Sequence, residues 1–155
     1  MKIIALEEHF ETPLHAQKYP ATPRRAQSLI DRKSRIGHDV ADELLSLGPS
    51  RIAAMDAAGI DLQVLSLTMP GCQGLEAAEA IAMARDANDR MSEAIRTYRG
   101  RFAGFAALPT ADPAAAIAEL DRAVGRLGFK GAMINGHTRG SFLDASRDIA
   151  LGSAR

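Results

Sequence analysis

The sequence has a single cysteine, Cys72, no tryptophan and only 5% aromatic residues. A lone cysteine excludes a disulfide within the chain, and chains without disulfides are typical of a reducing compartment, so we predict a cytoplasmic protein. The 19 basic residues balance 19 acidic ones, which argues against a basic surface for nucleic acid. No apolar run approaches the roughly 20 residues of a membrane span, and no leader-like segment precedes the first apolar stretch. We therefore predict no nucleic-acid or membrane partner.

What the chain does contain is an alternation of apolar strand-like runs with amphipathic helical stretches. Strands are predicted at 2–10, 62–68, 101–109 and 129–135, with helices at 51–59, 75–98 and from 113 to about 127. Ser50 is the predicted cap of the first of these helices, and Asp112 followed by Pro113 is a strong start for the last. Such alternation predicts an α/β fold with parallel strands and right-handed crossovers. The pattern corresponds either to half of a (β/α)8 barrel or to a small open sheet.

The helical stretches carry apolar stripes at spacings of three and four residues, which should face the sheet. On the helix at 75–98 the stripe includes Asn88, whose side chain is expected to bond a backbone group in the core. On the last helix the predicted buried stripe consists of Ile117, Leu120, Val124 and Leu127.

Polar side chains follow three of the four predicted strands, at the ends where α/β proteins place their binding sites. In IALEEHF, residues 4 to 10, strand alternation places Glu7 and His9 on one face and Glu8 on the other. A carboxylate and an imidazole side by side supply two adjacent ligands for a divalent ion. Glu8 should instead form a salt bridge among the helices. Taken alone, a Glu-x-His pair equally fits ordinary strand-end packing.

The other strand ends offer candidate substrate contacts. Ser66, Thr68 and Met69 end the second strand, and Asn135 and His137 follow the fourth. Each also has a plain structural explanation, since strand ends pack and Asn-Gly is a turn signal. The remaining histidines, His15 and His38, are predicted to be surface residues.

Four motifs, in chain order, resemble the amidohydrolase-2 family: IALEEHF, GIDLQVLSLTMPG, RFAGFAALPTADP and LGFKGAMINGHT. Within that family the sequence is most similar to metal-dependent decarboxylases of hydroxybenzoates, such as γ-resorcylate and 2,3-dihydroxybenzoate decarboxylase. The resemblance implies a TIM-like barrel with one divalent ion, zinc or manganese, that binds a small aromatic carboxylic acid. It implies that Glu7 and His9 are metal ligands and that decarboxylation proceeds by protonation of the ring carbon.

In that family the remaining metal ligands and the catalytic residues belong to the second half of the barrel, which would lie beyond Arg155. A whole barrel needs about 250 residues. The expected organisation is therefore an amino-terminal half-barrel at 1–143, followed by a tail at 144–155 that is unlike the family. The catalytic residues stay unknown within this sequence.

Three functions stay open at this point. The first is a metal-dependent decarboxylase of hydroxybenzoate-like acids, or a truncated derivative of one. The second is a hydrolase of the same superfamily that opens a lactone or a cyclic amide. The third is a non-catalytic half-barrel that pairs with another chain through an exposed sheet edge. We expect a homo-oligomer, and a polypeptide of only these 155 residues is expected to be inactive.

Overall fold

The computed structural model describes residues 1–19 and 40–142. Within these ranges, four strands and five helices alternate. The strands are β1 (Ile4–Phe10), β2 (Leu62–Leu67), β3 (Phe102–Ala107) and β4 (Gly131–Met133). The helices are α1 (Pro13–Lys18), α2 (Val40–Leu45), α3 (Pro49–Ala57), α4 (Ala77–Thr97) and α5 (Pro113–Gly125). His38 and the tail at 144–155 lie outside the described residues.

The strands form one parallel sheet in the order β1-β2-β3-β4. Each strand thus lies beside the one that precedes it in the chain, as in a (β/α)8 barrel. This confirms the predicted α/β class and the parallel arrangement. None of the described helices combines the length and the apolar character that a bilayer-spanning segment requires.

Local sequence explains the start of helix α5. Asp112 accepts a hydrogen bond from the backbone N–H of Ala115 at 3.1 Å, and Pro113 occupies the first helical position of α5. Helix α3 corrects a prediction, since it begins at Pro49 with Gly48 before it, and Ser50 lies inside the helix. The Ser50 hydroxyl bonds that of Ser46 at 2.8 Å instead of capping the helix backbone.

The core lies between the sheet and helices α4 and α5. Helix α4 approaches β3 closely, because a Cβ placed on Gly104 would lie only 2.6 Å from the Met91 sulfur. Asn88 is fully buried on this helix. It donates to the Ala107 carbonyl and accepts from the Ala107 N–H, both at 2.9 Å, which confirms its predicted backbone bonding.

The buried stripe of α5 differs in part from the predicted one, although Leu120 and Leu127 pack against the core as expected. Its buried residues are Ala116, Glu119 and Ala123, whereas Val124 is exposed. The face of α5 that meets the core is centred on Glu119, which accepts a hydrogen bond from Asn88 of α4 at 2.7 Å. The small side chains of the two alanines on this face allow α5 to approach the core closely. Apolar spacing alone did not reveal that a glutamate would face the core.

His15 corrects another prediction. Its side chain is fully buried, and its Nδ1 lies 2.8 Å from the Glu11 carboxylate. The short helix α1 folds this histidine inward because Thr12 caps the helix and accepts from the His15 N–H at 3.1 Å. His15 is therefore a core residue.

Candidate functional site

The end of β1 does not follow simple strand alternation. Its pairing with β2 shifts between Ala5 and Glu8, so that Leu6 and Glu7 together lie opposite Val64. Glu7 has a φ of +57°, in the left-handed region. This β-bulge interrupts the regular alternation of side chains between the two faces of the sheet. Ala5 pairs with Gln63 and His9 with Ser66, and because these partners are three residues apart, Ala5 and His9 lie on opposite faces. Simple alternation therefore does not hold along the whole strand, although the bulge keeps Glu7 beside Val64, two residues before the partner of His9.

Positive φ strains a residue with a Cβ by about 1–2 kcal/mol. Such strain persists only where the surroundings enforce it, and it concentrates at functional sites. Within the described residues, the Glu7 carboxylate forms no hydrogen bond or ion pair, and the side chain is exposed. Its carboxylate is available to a ligand.

Glu8 takes the role that the sequence predicted. Its carboxylate accepts a hydrogen bond from Gln63 Nε2 at 2.8 Å and lies 3.8 Å from the guanidinium of Arg51 on helix α3. Since Glu8 pairs with Leu65 of β2, whose side chain is fully buried, it lies on the helix-facing side of the sheet.

His9 lies on the opposite face, in register with Ser66. The imidazole Nδ1 is 3.0 Å from the Ser66 hydroxyl, and Ser66 is fully buried. When Nδ1–H donates to this hydroxyl, Nε2 carries the lone pair that a metal ion requires. Bonds of this kind to the second ring nitrogen fix the orientation of metal-binding histidines.

The other predicted residues of the second strand end are distributed differently. Thr68 is half-buried and, together with His9 and Arg51, lines a cavity of about 460 Å³ between the strand ends and helices α2 and α3. Its backbone N–H donates to the Phe10 carbonyl at 2.9 Å, which holds the ends of β1 and β2 together. Met69 is largely exposed.

The loop after β4 returns to the loop after β2. A Cβ on Gly71 would lie 2.6 Å from the side-chain nitrogen of Asn135, so these two loops touch. The His137 ring contacts that of the exposed Phe142, with ring centroids 4.0 Å apart and ring planes tilted by 50°. The structure therefore places Asn135 against the second strand end and His137 on a surface turn.

Sequence reasoning missed a polar cluster that ties three strand ends together. Gln73 is buried, and its Nε2 donates to Thr110 Oγ1 at 3.5 Å and to the Leu108 carbonyl at 3.4 Å. Thr110 in turn bonds Thr138 at 2.5 Å. These residues lie in loops, where no periodic pattern signals burial.

Sequence reasoning also missed Arg51. The available signal was its position four residues before the buried Met55 on a helix, which places a charged residue next to the core. Burial lowers the pKa of Arg51 from its usual value, whereas the nearby carboxylates of Glu8 and Glu43 act in the opposite sense.

The donor set suits a divalent ion only in part. Glu7 offers a carboxylate and His9 a neutral imidazole, which are ordinary ligands of zinc and manganese. Among residues 1–19 and 40–142, no cluster of three or more acidic, cysteine or histidine side chains is arranged to hold a metal. The pair could thus form part of a coordination shell, and further ligands would have to come from elsewhere.

Comparison with known proteins identifies the family. The sequence matches the amidohydrolase family over residues 12–149. The chain belongs to that family. A γ-resorcylate decarboxylase of Rhizobium radiobacter is 38% identical to this amidohydrolase-family chain over 141 residues, which are 88% of the chain and 39% of the relative.

Solved structures show the same relationship. The 5-carboxyvanillate decarboxylase of Novosphingobium aromaticivorans, complexed with manganese and 4-hydroxy-3-methoxy-5-nitrobenzoic acid, superposes with a TM-score of 0.86 at 35% identity. The match covers 99% of this family member and 47% of that protein. A dihydroxybenzoic acid decarboxylase of a Polaromonas species, with bound manganese and 2-nitroresorcinol, superposes with a TM-score of 0.76 at 34% identity. That match covers 96% of this chain and 44% of the Polaromonas protein. This amidohydrolase-family chain therefore has the architecture of somewhat under half of a TIM-barrel decarboxylase.

Proposed function

We propose that this chain supplies the first four strands of a metal-dependent decarboxylase that acts on hydroxybenzoate-like acids. Glu7 and His9 are the proposed ligands of one divalent ion, with manganese or zinc as the candidates. The observation that carries the proposal is the end of β1. There Glu7 has a strained backbone and no side-chain partner among the described residues, and two residues later the Nδ1 of His9 is engaged by Ser66. The manganese and benzoate-type ligands of the similar solved structures support it.

A divalent ion in this position would supply positive charge for the carboxylate and a neighbouring oxygen of an aromatic acid. The residues of this chain have supporting tasks. Ser66 holds the His9 ring, and we assign it to that role rather than to substrate contact because it has no exposed surface. Thr68, Met69, Asn135 and His137 remain the proposed substrate contacts.

Metal titration tests the proposal directly. Binding of Mn²⁺ to the chain can be followed by the loss of the electron paramagnetic resonance signal of the free ion. Glu7→Gln and His9→Gln are each expected to weaken binding at least about 10-fold, because each removes one of two ligands. Ser66→Ala is expected to weaken it less, by releasing the His9 ring.

Glu8→Gln is the matched control. It removes the same charge from the next residue, yet Glu8 faces Arg51 and Gln63 on the other side of the sheet. Mn²⁺ affinity should fall less than in Glu7→Gln, because Glu8 lies on the other face of the sheet and a glutamine there still accepts the hydrogen bond from Gln63. Equal losses in the Glu7 and Glu8 variants, or none in either, would refute the ligand assignment.

Glu7→Gly separates a metal role from a folding role. Glycine tolerates positive φ, so this variant should be as stable as the wild type or more stable. If Glu7 is a ligand, Mn²⁺ binding is nevertheless lost. A loss of stability would show that the glutamate serves the fold.

Activity requires the rest of a barrel, because the chain spans only 39% of the curated relative described above. We expect a polypeptide that joins this chain to the remaining part of the Rhizobium radiobacter enzyme to release CO2 from γ-resorcylate with Mn²⁺. His9→Gln should abolish that release. Hydrolysis of an aromatic lactone without CO2 release would favour the hydrolase alternative instead.

A non-catalytic half-barrel is the second candidate. It is favoured by the apolar side chains exposed on the edge strand β1, where Ile4 is 52% and Leu6 is 64% exposed. Such an edge invites pairing with a further strand. Unlike the first candidate, it predicts that the chain associates with another chain to the same extent with and without Mn²⁺ and in the His9→Gln variant.

A further inference from the structure

Arg51 joins helix α3 to the end of β1. Its side chain is only 12% exposed. Nη1 donates to the backbone carbonyl of His9 at 3.0 Å, and Nε donates to Gln63 Oε1 at 2.7 Å. Gln63 donates to Glu8, whose carboxylate also faces the guanidinium. The three side chains form a closed ring behind the strand, and the ring is attached to the backbone of His9.

This ring lies where β1 most needs support. Glu7 has a strained backbone, and the pairing with β2 shifts just before Glu8. A strained segment keeps its conformation only when its surroundings over-determine it. The guanidinium is a rigid fork with several donors, so one side chain fixes several acceptors in a set geometry. The contact to the His9 carbonyl constrains the strand immediately after the bulge.

Recognition of a bound anion is a poorer explanation for Arg51. Its donors already point at the His9 carbonyl and at Gln63, and Glu8 balances its charge. The ring is thus satisfied internally, as buried polar networks must be to stabilise a structure.

We propose that Arg51 is a positioning residue for the Glu7–His9 pair, an inference that rests on the metal role proposed above. It holds the backbone of His9, and through it the bulge, so that Glu7 and His9 keep their places at the end of β1. Gln63 and Glu8 keep the guanidinium in place. Arg51 itself does not touch the ion or the substrate.

The test compares Arg51→Met with Met55→Ala. Both changes affect helix α3, and Met55 is fully buried one turn later without belonging to the ring. We expect Met55→Ala to lower the melting temperature without a selective loss of metal binding. Arg51→Met should weaken Mn²⁺ binding about 10-fold, as expected for groups that support metal ligands. Arg51→Lys, which retains one donor group, should recover part of the loss.

A second measurement does not depend on metal. Hydrogen exchange of the Thr68 amide reports on the end of β1, because this amide donates to the Phe10 carbonyl at 2.9 Å. The Ala107 amide, which donates to Asn88 at 2.9 Å, reports on the distant strand β3. Arg51→Met should accelerate exchange at Thr68 by about 10-fold or more and leave Ala107 unchanged, since local openings differ in free energy across a fold.

The outcomes separate this inference from the proposed function. If the wild type shows no Mn²⁺ binding that depends on Glu7 and His9, and Thr68 exchange still rises selectively, the metal proposal fails while the positioning of the strand end stands. If exchange rises equally at both amides, Arg51 is a general stabilising residue and the inference is wrong. The inference is also wrong if the wild type binds Mn²⁺ through Glu7 and His9 but Arg51→Met weakens that binding no more than Met55→Ala does.

Discussion

At the scale of single residues, three consecutive side chains of β1 meet three different environments. Glu7 lies in a strained bulge and its side chain has no partner in the part of the chain that the structure describes, whereas Glu8 bonds Gln63 and faces Arg51, and His9 bonds Ser66. Two adjacent glutamates with the same chemistry thus differ in whether their carboxylates are available to bind a ligand. Backbone geometry, and not residue type, makes Glu7 the candidate ligand.

Cys72 supplies a prediction at the same scale. Burial, with a smaller contribution from the Glu119 charge, raises the pKa of its thiol from 9.0 to about 12. At pH 8 the thiolate fraction therefore falls from about a tenth to roughly one part in ten thousand. Iodoacetamide should label the native chain far more slowly than the urea-unfolded chain, as mass spectrometry can measure.

The same shift gives a pH dependence of stability. Because the folded pKa is raised, the unfolded state binds fewer protons than the folded state above pH 9. The contribution of Cys72 is therefore complete below pH 9 and is lost as the pH rises towards about 12. In the iodoacetamide experiment, labelling of the native chain at pH 8 as fast as that of the urea-unfolded chain would show that the Cys72 thiol is accessible and ionised, and would contradict both expectations.

At the scale of secondary-structure elements, α4, α5 and β3 are joined by one buried polar network. Asn88 bonds both backbone groups of Ala107 and donates to Glu119, and Glu119 also accepts from Arg122 at 2.7 Å. Asn88 itself has no exposed surface. The network holds two helices and a strand in one fixed arrangement.

Asn88→Ala should destabilise the fold substantially. It leaves the N–H and C=O of Ala107 without these partners in the core, and each unsatisfied buried group costs about 1–3 kcal/mol. We expect a loss of about 2–4 kcal/mol in the free energy of unfolding, measured by urea denaturation. Asp89→Asn is the control, because its ion pair with Arg122 is largely exposed and should contribute at most about 1 kcal/mol. Similar losses in both variants would contradict the assigned role of the network.

At the scale of the whole molecule, the sheet formed by residues 1–19 and 40–142 has two edges, β1 and β4, where a complete barrel has none. The β1 edge carries exposed Ile3, Ile4 and Leu6. Apolar edge strands are sites of pairing with other strands. The similar solved structures extend well beyond the region matched by this chain, which covers 47% of the first one described above.

We therefore expect the chain to self-associate through the β1 edge. Leu6→Lys should shift the species towards the monomer in sedimentation-velocity experiments over a range of concentrations, because a charge on an edge strand opposes pairing. Val124→Lys is the control, since Val124 is exposed on helix α5, away from the β1 edge. A monomer at all concentrations, or dissociation by both variants alike, would contradict this expectation.

Several features could be predicted because their causes are local. Hydrophobic periodicity separated strands from helices, and the Asp112–Pro113 pair marked the start of α5 within the chain itself. The predicted backbone bonding of Asn88 followed from a polar residue on an apolar stripe. Other features could not be predicted. His15 is buried beside Glu11, which it contacts through Nδ1, and it lies on a helix too short to show periodicity. Glu119 of α5 faces the core because it accepts a hydrogen bond from Asn88 of α4.

The sequence by itself determined the alternation of strands and helices, the family, and the polar residues that follow the strands, since these depend on patterns within short segments. Only the tertiary structure decided which of those residues come together. The bulge at Glu7, the bond from Ser66 to His9 and the ring around Arg51 all depend on the register of β1 against β2. That register is set by hydrogen bonding and packing between segments more than 50 residues apart, which no local pattern encodes.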